Sequence, residues 1–464
     1  MISIVPNVLY IVWDDAGIGA WNAFGGLVET PAMRWLARRG LRYSRWHTPA
    51  RPEATRSSLL TGRHRESVPP DVTTLAEILA GGGYRTYCVG QWGLAPGEAM
   101  AGSRGTWPLA RGFDRYYGFL GRQTSPWYPD LVYDDQQVDP PYTPAEGYHL
   151  SRDLADMAIE LIRDGVRARP GRPWLCYLSF GATGVPHAAP REWTGDCRGR
   201  FEMGYDRYRE IVLGNMKRLG LVPEDTALAA PGGPRPGVAA GRAVRPWHAL
   251  SEPQKRLGHL LAESAASLCT YTDRQVGRLL RYLAESGQLE DTLVVACSAN
   301  AARARDPGGA PAGAAGESGL LAGWPAPGRA GAAPGDPADD HAVAAGWIRA
   351  FGAPYHRGGP HWPGGGEASP LIITWPRQMA DVAGGVRDQY HRAVDVVPTI
   401  LDCAGVGPPR RAGAPVRAPL PGVSMRYTFT APDAPGPRPA PVYRIPGARA
   451  RPPAAAGRGS RVAG

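Results

Sequence analysis

The chain has 464 residues, 43% of them hydrophobic, with a formal net charge of +10 carried almost wholly by arginine. That length suits one large α/β domain or two ordinary ones, and the apolar share is enough for a core. No apolar run is long enough to span a bilayer, and the arginines are scattered rather than framed by a DNA- or RNA-binding motif, so neither a membrane nor a nucleic acid is expected as partner.

The six cysteines stand far apart. Cys88, Cys176 and Cys297 lie in strand-like runs, Cys269 and Cys403 in helical patterns and Cys197 in a loop, with no Cys-x-x-Cys pair. This is the usage of reduced thiols in a cytoplasmic protein rather than of a disulfide framework. The N-terminus enters a strand almost at once, at Asn7, without the charged leader, apolar core and cleavage site of a secretory signal.

Val8 to Trp13 is a β-branched apolar run, the pattern of a strand buried on both faces, and it ends in Asp14-Asp15. Thr30 as N-cap and Pro31 at the first helical position open a helix with Met33, Leu36 and Ala37 on one side, closed by Gly40. Thr74 and Glu77 form a capping box ahead of Leu75, Ile78 and Leu79. A strand over Arg85 to Val89 comes next. Leu154, Met157, Ala158, Leu161 and Ile162 make a helical stripe, and Trp174 to Phe180 reads as a strand. A long helical region covers Pro253 to Ser286, divided by the stretch Thr270–Asp273. Strands over Thr292 to Ser298 and Leu371 to Trp375 follow, then a helix over Ala393 to Ala404 stopped by Gly405.

Strands alternating with helices imply a parallel or mixed sheet covered on both faces. Ligands of such folds gather beyond the carboxyl ends of the strands. Asp14, Asp15, Gln91 and Asn300 each follow a strand and are expected to share that rim. Residues 301–345 are rich in Ala, Gly, Pro and Arg with almost no periodicity, as is the tail over 432–464, and both read as disordered. The expected organisation is a core over 1–300, an insert over 301–345, the rest of the core over 346–431, and the tail.

Many segments in a fixed order carry a family resemblance. They include PNVLYIVWDDAGIGAWNAFG (6–25), TRSSLLTGR (55–63), TYCVGQWGL (86–94), RGFDRYYGFLG (111–121), GYHLSRDLAD (147–156) and YTDRQVGRLLRYLAESGQLEDTLVV (271–295). These resemble bacterial arylsulfatases of the sulfatase family. The likeness covers roughly the first three hundred residues, thins after Ala299 and resumes around 370–409. It implies an alkaline-phosphatase-like α/β fold, with a mixed sheet and helices on both faces.

The family's chemistry, as the resemblance implies it, needs a formylglycine made from Cys or Ser in a Cys/Ser-x-Pro-x-Arg motif. One hydroxyl of its hydrate attacks sulfur, and the other expels sulfate by re-forming the aldehyde. Calcium held by carboxylates and an amide polarises the ester, while Lys and His bind sulfate and protonate the leaving alcohol. Asp14 and Asp15 match the first metal carboxylates; an acidic turn after a strand is the plain alternative. Arg56 matches the motif arginine, and a helix-surface arginine fits as well. The nucleophile position is Pro52, which cannot become formylglycine but suits a first helical turn, with Glu53 favourably placed against the helix dipole. Ser58, about 240° around the helix, points away. Thr55 is the one plausible stand-in, and it cannot perform the aldehyde step.

The family's Gly-Lys-Trp-His motif reads Gly90-Gln91-Trp92-Gly93, so Gln91 and Gly93 stand where a cation and an imidazole belong. Its His-x-Pro-His motif reads Gly184-Val185-Pro186-His187. Gly184 replaces the histidine the family uses on substrate, and His187 is expected to be structural. The Asp-Asn metal pair reads Ala299-Asn300, and the last lysine falls near Gly358, where Arg357 and His361 are in the wrong register. Calcium takes about six to eight oxygens. Asp14, Asp15 and Asn300 supply part of such a shell, so weak calcium binding is expected.

The expectation is therefore an arylsulfatase-family protein, a sulfuric ester hydrolase by descent, with an aryl sulfate ester as substrate class by resemblance and no catalytic activity. Two other readings stay open: a residual metal-dependent sulfate- or phosphate-ester hydrolase using Thr55, and a polyanion-binding protein using its arginine-rich surface.

Overall fold

The computed structural model describes residues 5–49, 51–65, 67–69, 71–95, 104–182, 184, 187–228, 244–300, 345–355, 367–407 and 419–439. The insert over 301–344, the stretch 356–366 with Arg357, Gly358 and His361, and the tail beyond 439 lie outside them.

The apolar run near the N-terminus forms β1 (Asn7–Trp13) at the heart of a ten-stranded sheet. In chain order the sheet also holds β2 (Leu41–Tyr43), β4 (Arg85–Gln91), β5 (Arg115–Phe119), β6 (Leu131–Tyr133), β7 (Gln136–Val138), β8 (Trp174–Ser179), β9 (Thr292–Ser298), β11 (Leu371–Thr374) and β12 (Val386–Arg387). Their order is β12-β2-β11-β9-β1-β8-β4-β5-β6-β7. The central strands β9, β1, β8, β4 and β5 run parallel, and antiparallel neighbours flank them on both sides. A second sheet joins β3 (Trp46–Thr48) to β10 (Glu367–Ala368) and β13 (His391–Arg392).

Alternate side chains of β1 enter two different cores, as a strand covered on both faces requires. Leu9, Ile11 and Trp13 pack with α1 (Pro31–Arg39), α4 (Leu150–Ala168), α6 (Gly204–Arg218) and α7 (Glu252–Glu285). Val8, Tyr10 and Val12 pack with α2 (Pro52–Thr61), α3 (Leu75–Gly81) and the helix Val396–Ala404. This is the α/β architecture expected. The capping box of Thr74 and Glu77 is present at α3.

Three expectations are corrected. The long helical region is not divided: α7 runs unbroken for 34 residues. Thr272 and Asp273 are buried and find partners on other elements, Thr272 with Ser151 and Asp273 with α1, so they do not compete with their own backbone. Thr30 makes no side-chain cap to α1; its hydroxyl is bound to Asn22. Asp273 does that work from α7, accepting the N–H groups of Ala32 at 2.7 Å and Met33 at 3.0 Å. The tail does not leave the fold at 432. Gln389 donates to the carbonyls of Pro432 and Ala434, and Arg438 forks onto the buried Asp395 at 2.7 and 2.9 Å. The late helix starts as a 3-10 turn over Ala393–Asp395 and ends at Gly405, whose φ of 67° is left-handed.

Candidate active site

Four adjacent parallel strands end together. Trp13 pairs with Ser298, Val12 with Ser179, and Ser179 with Gly90. The chain therefore leaves β9 at Asn300, β1 at Asp14-Asp15, β8 near Ser179 and β4 at Gln91, all on one rim. Backbone bonds brace the exits: Asp14 N–H to the Ala182 carbonyl at 2.8 Å, and Ala299 N–H to the Trp13 carbonyl at 2.7 Å. Asp15 turns the corner with a φ of 54°, a conformation that Asp tolerates better than most residues.

Helix α2 points its first turn at this rim. Pro52 sits at the first helical position, where its missing N–H costs nothing. The Pro49 carbonyl just before it accepts both the Thr55 hydroxyl at 3.1 Å and the Asn300 side-chain amide at 2.8 Å, which ties α2 to the end of β9. Thr55 is fully buried, and its hydroxyl also donates to the Arg51 carbonyl at 3.2 Å. The Asn300 side-chain oxygen is buried and accepts no hydrogen bond from the described residues. Ser58 donates to the Arg63 carbonyl, away from the rim, as its helical position requires.

Arg56 is the hub. Its guanidinium lies 2.8 Å from the Asp14 carboxylate and donates to Ser179 Oγ at 2.7 Å and to Gln91 Oε1 at 2.5 Å. Burial pulls its pKa down, but Asp14 and Tyr177 outweigh that and the net shift is upward, so it stays a cation inside the protein. Gln91 passes the link on, donating from Nε2 to the Arg122 carbonyl at 2.7 Å. Gly93, at a φ of 66°, lies so close that a Cβ there would sit 2.9 Å from Arg56 Cδ. A side chain at Gly184 would lie 3.8 Å from Asp14 Cβ, beside the carboxylate end of β1. His187 is buried, and its carbonyl accepts the Ser264 hydroxyl of α7.

A cavity of about 40 Å³ opens beside Asp14, lined among others by Arg122, Gln123, Ser151, Gly181 and Gly184. At its edge the Arg122 guanidinium meets the Glu53 carboxylate of α2 at 2.8 Å. His149 also borders it, neutral in character: burial holds its pKa at about 4, Nδ1 accepts the Ser151 N–H, and Nε2 donates to the Ala188 carbonyl. Sequence reasoning missed Ser179, Arg122 and the Arg122–Glu53 contact. Ser179 was open to the same strand-end rule that singles out Gln91; the contact joins residues far apart in the chain with no local signal.

The sequence profile of the family described as Sulfatase matches residues 6–406. The chain belongs to the sulfatase family. The arylsulfatase of Klebsiella aerogenes is 26% identical over 325 residues, covering 64% of this chain and 66% of that protein. An uncharacterised sulfatase of Schizosaccharomyces pombe is 26% identical over 330 residues, covering 64% of this chain and 58% of that one. The chain thus spans just under two thirds of the first relative and less of the second. A solved structure of a protein in complex with its substrate D-glucosamine-2-N,6-O-disulfate aligns with a TM-score of 0.54 at 18% identity, over 92% of this chain and 80% of the other. A likeness of that kind shows the fold, which is alkaline-phosphatase-like.

The structure brings Asp14, Asp15, Gln91 and Asn300 to one rim with α2, and places Pro52 in the first turn of that helix. The calcium that the family implies can be tested on the donors. Two carboxylates and one amide offer at most five of the six to eight oxygens calcium takes, and Asp14 is also engaged by a guanidinium. Among the described residues no three acidic, His or Cys side chains converge as an ion would need. The buried Asn300 side-chain oxygen, which accepts no hydrogen bond from the described residues, suits a cation, as do the buried carboxylate oxygens of Asp14 and Asp15 on the same rim. The described residues alone supply an incomplete calcium shell.

Proposed function

We propose that this chain is a sulfatase-family protein that does not turn over sulfate esters, keeping the fold and an altered, anion-accessible pocket. The observation that carries the reading is Pro52 at the helix position of the nucleophile. It has no thiol or hydroxyl to oxidise, and removal of a nucleophile alone costs on the order of 10⁶ in turnover in hydrolases. Gln91, Gly93 and Gly184 withhold the cation and imidazoles that bind sulfate and protonate the leaving group. Thr55 is a poor substitute nucleophile, because its hydroxyl is buried and directed at two carbonyls of its own segment.

By descent the ligand class is a sulfate ester. Among the described residues no helix is long and apolar enough to cross a membrane. Six buried cysteines with free thiols fit a reducing compartment, so we place the protein in the cytoplasm. The deciding experiment incubates the purified full chain with an aryl sulfate and an aryl phosphate, with and without calcium, alongside a mass measurement of the peptide containing Pro52. No turnover above buffer is expected. Cleavage of aryl sulfate at rates typical of active relatives would overturn the reading.

A further inference from the structure

The arginine that the family pattern keeps, Arg56, cannot receive a ligand. It is buried, and its charge is matched by Asp14. The cavity beside Asp14 nevertheless has a cation of its own. Arg122 is the one Lys or Arg among the described residues that line it, and its side chain is 68% exposed. Its backbone is pinned, because its carbonyl accepts the Gln91 side-chain amide. The guanidinium therefore swings from a fixed anchor at the cavity edge. What it holds is Glu53, one residue beyond the nucleophile position, at 2.8 Å. A carboxylate on a guanidinium makes the same charge-assisted contacts as a sulfate or phosphate oxygen.

We propose that Arg122 is the oxyanion-binding residue of this pocket and that Glu53 occupies it as an internal competitor. The ligand class is a compact tetrahedral oxyanion, sulfate or phosphate, free or as the head of an ester, that displaces the Glu53 carboxylate. Two neutral pairs, Asp14 with Arg56 and Glu53 with Arg122, leave the pocket with little net charge. Neutralising Glu53 leaves one uncompensated positive charge at its edge. A cavity of about 40 Å³ suits a compact ion. The pocket thus has a built-in threshold: weak anions do not dislodge the glutamate, and doubly charged ones do.

This inference rests on reading the pocket as anion-accessible without turnover, and the two fail separately, one by cleavage of aryl sulfate and the other by binding alone. The test titrates sodium sulfate and, in a second arm, sodium phosphate into the full chain by calorimetry, at constant ionic strength set with sodium chloride. Glu53→Gln keeps the shape and removes the charge; it should tighten sulfate about five-fold, the scale of one exposed ion pair. Arg122→Ala should abolish the heat, and the double variant should not recover it. Arg207→Ala, which removes an exposed cation elsewhere on the chain, should bind as the parent does. Thermal melts of each variant confirm folding. Tighter phosphate than sulfate assigns the pocket to phosphate, and the reverse assigns it to sulfate. Binding unchanged by Glu53→Gln, retained by Arg122→Ala, or absent in both the parent and Glu53→Gln overturns the proposal.

Discussion

Arg56 on α2 and Asp14 at the end of β1 form a buried ion pair 2.8 Å apart, with the guanidinium also held by Ser179 and Gln91. It links three strand ends to the helix that opens with Pro52. A pair this deep is costly to break because the surviving partner keeps its charge without water. Removing one partner of such a pair costs about 3–5 kcal/mol. Asp14→Ala is expected to destabilise the protein by that order in urea unfolding. Asp14→Asn with Arg56→Met should lose less than the two single variants combined. Strict additivity would show that the two side chains are not coupled in solution.

Restoring one position is not expected to restore the chemistry. Pro52→Cys with Ala54→Pro recreates the Cys-x-Pro-x-Arg pattern around Arg56. The variant still lacks a cation at Gln91 and imidazoles at Gly93 and Gly184. Even with the aldehyde installed, as checked by mass, aryl sulfate turnover should stay at least roughly 10²-fold below active relatives, the scale of losing a single oxyanion-stabilising group. Rates within ten-fold of those relatives would mean that Pro52 is the sole defect. Adding Gly93→His should help little: its φ of 66° is a left-handed conformation that histidine adopts at a cost, and Arg56 lies against the position a Cβ would take.

The rim is legible in the sequence because Asp14, Gln91 and Asn300 each directly follow an apolar run, and a doubly covered sheet sends such positions to one edge. Helix ends set by local chemistry are legible too, as at Thr74 with Glu77 and at Gly405. What is not legible is set by partners distant in the chain. Asp273 looks like a break in α7 until it is seen receiving the amides of α1, 240 residues and more away. The polar tail around Arg438 reads as disorder by composition, yet one guanidinium on buried Asp395 anchors it. The Glu53–Arg122 contact has the same character.

Asp273 gives a direct measure of such distant capping. Asp273→Ala leaves two buried amide groups of α1 without their acceptor. With each such loss worth about 1–3 kcal/mol, a destabilisation of roughly 2–4 kcal/mol is expected in urea unfolding. Hydrogen exchange should rise first at Ala32 and Met33. An unchanged midpoint would mean that α1 is capped in another way.

Calcium should leave the fold untouched. A ligand that binds only the folded state adds RT ln(1 + [L]/Kd) to stability. With an incomplete shell and Arg56 beside Asp14, millimolar calcium should sit below its Kd and add less than about 0.5 kcal/mol. Thermal melts with 1 mM calcium chloride and with EDTA are then expected to superimpose. A clear upward shift with calcium, absent with magnesium, would show a completed shell and restore the metal to this site.

The pH dependence of stability between 7 and 4 is set by two buried histidines and, in the opposite sense, by Asp273, whose carboxyl is pushed up to about 7 by burial. Burial lowers His149 to about 4; burial, with Arg392 and Arg45 adding to it, lowers His47 to about 3. Unfolded, both rings titrate near 6.5. Above that pH they are neutral in both states and their contribution is fully present. As pH falls from 6.5 towards 4, the unfolded chain takes up protons that the folded chain refuses, and stability drops. The slope is about 1.4 kcal/mol per pH unit for each ring; Asp273, protonated in the folded chain first, returns about as much as one ring, so the net fall is roughly one ring's worth. Asp395 titrates lower: burial opposes its ionisation, but hydrogen bonds led by those from His391 and Arg438 hold it at about 2, so its contribution is lost only below about pH 4. Urea midpoints measured between pH 7 and 4.5 should therefore fall steadily, and His149→Gln should flatten that fall by close to one proton's worth. A His149→Gln profile parallel to the parent would mean that His149 is already protonated, or open to solvent, in the folded protein.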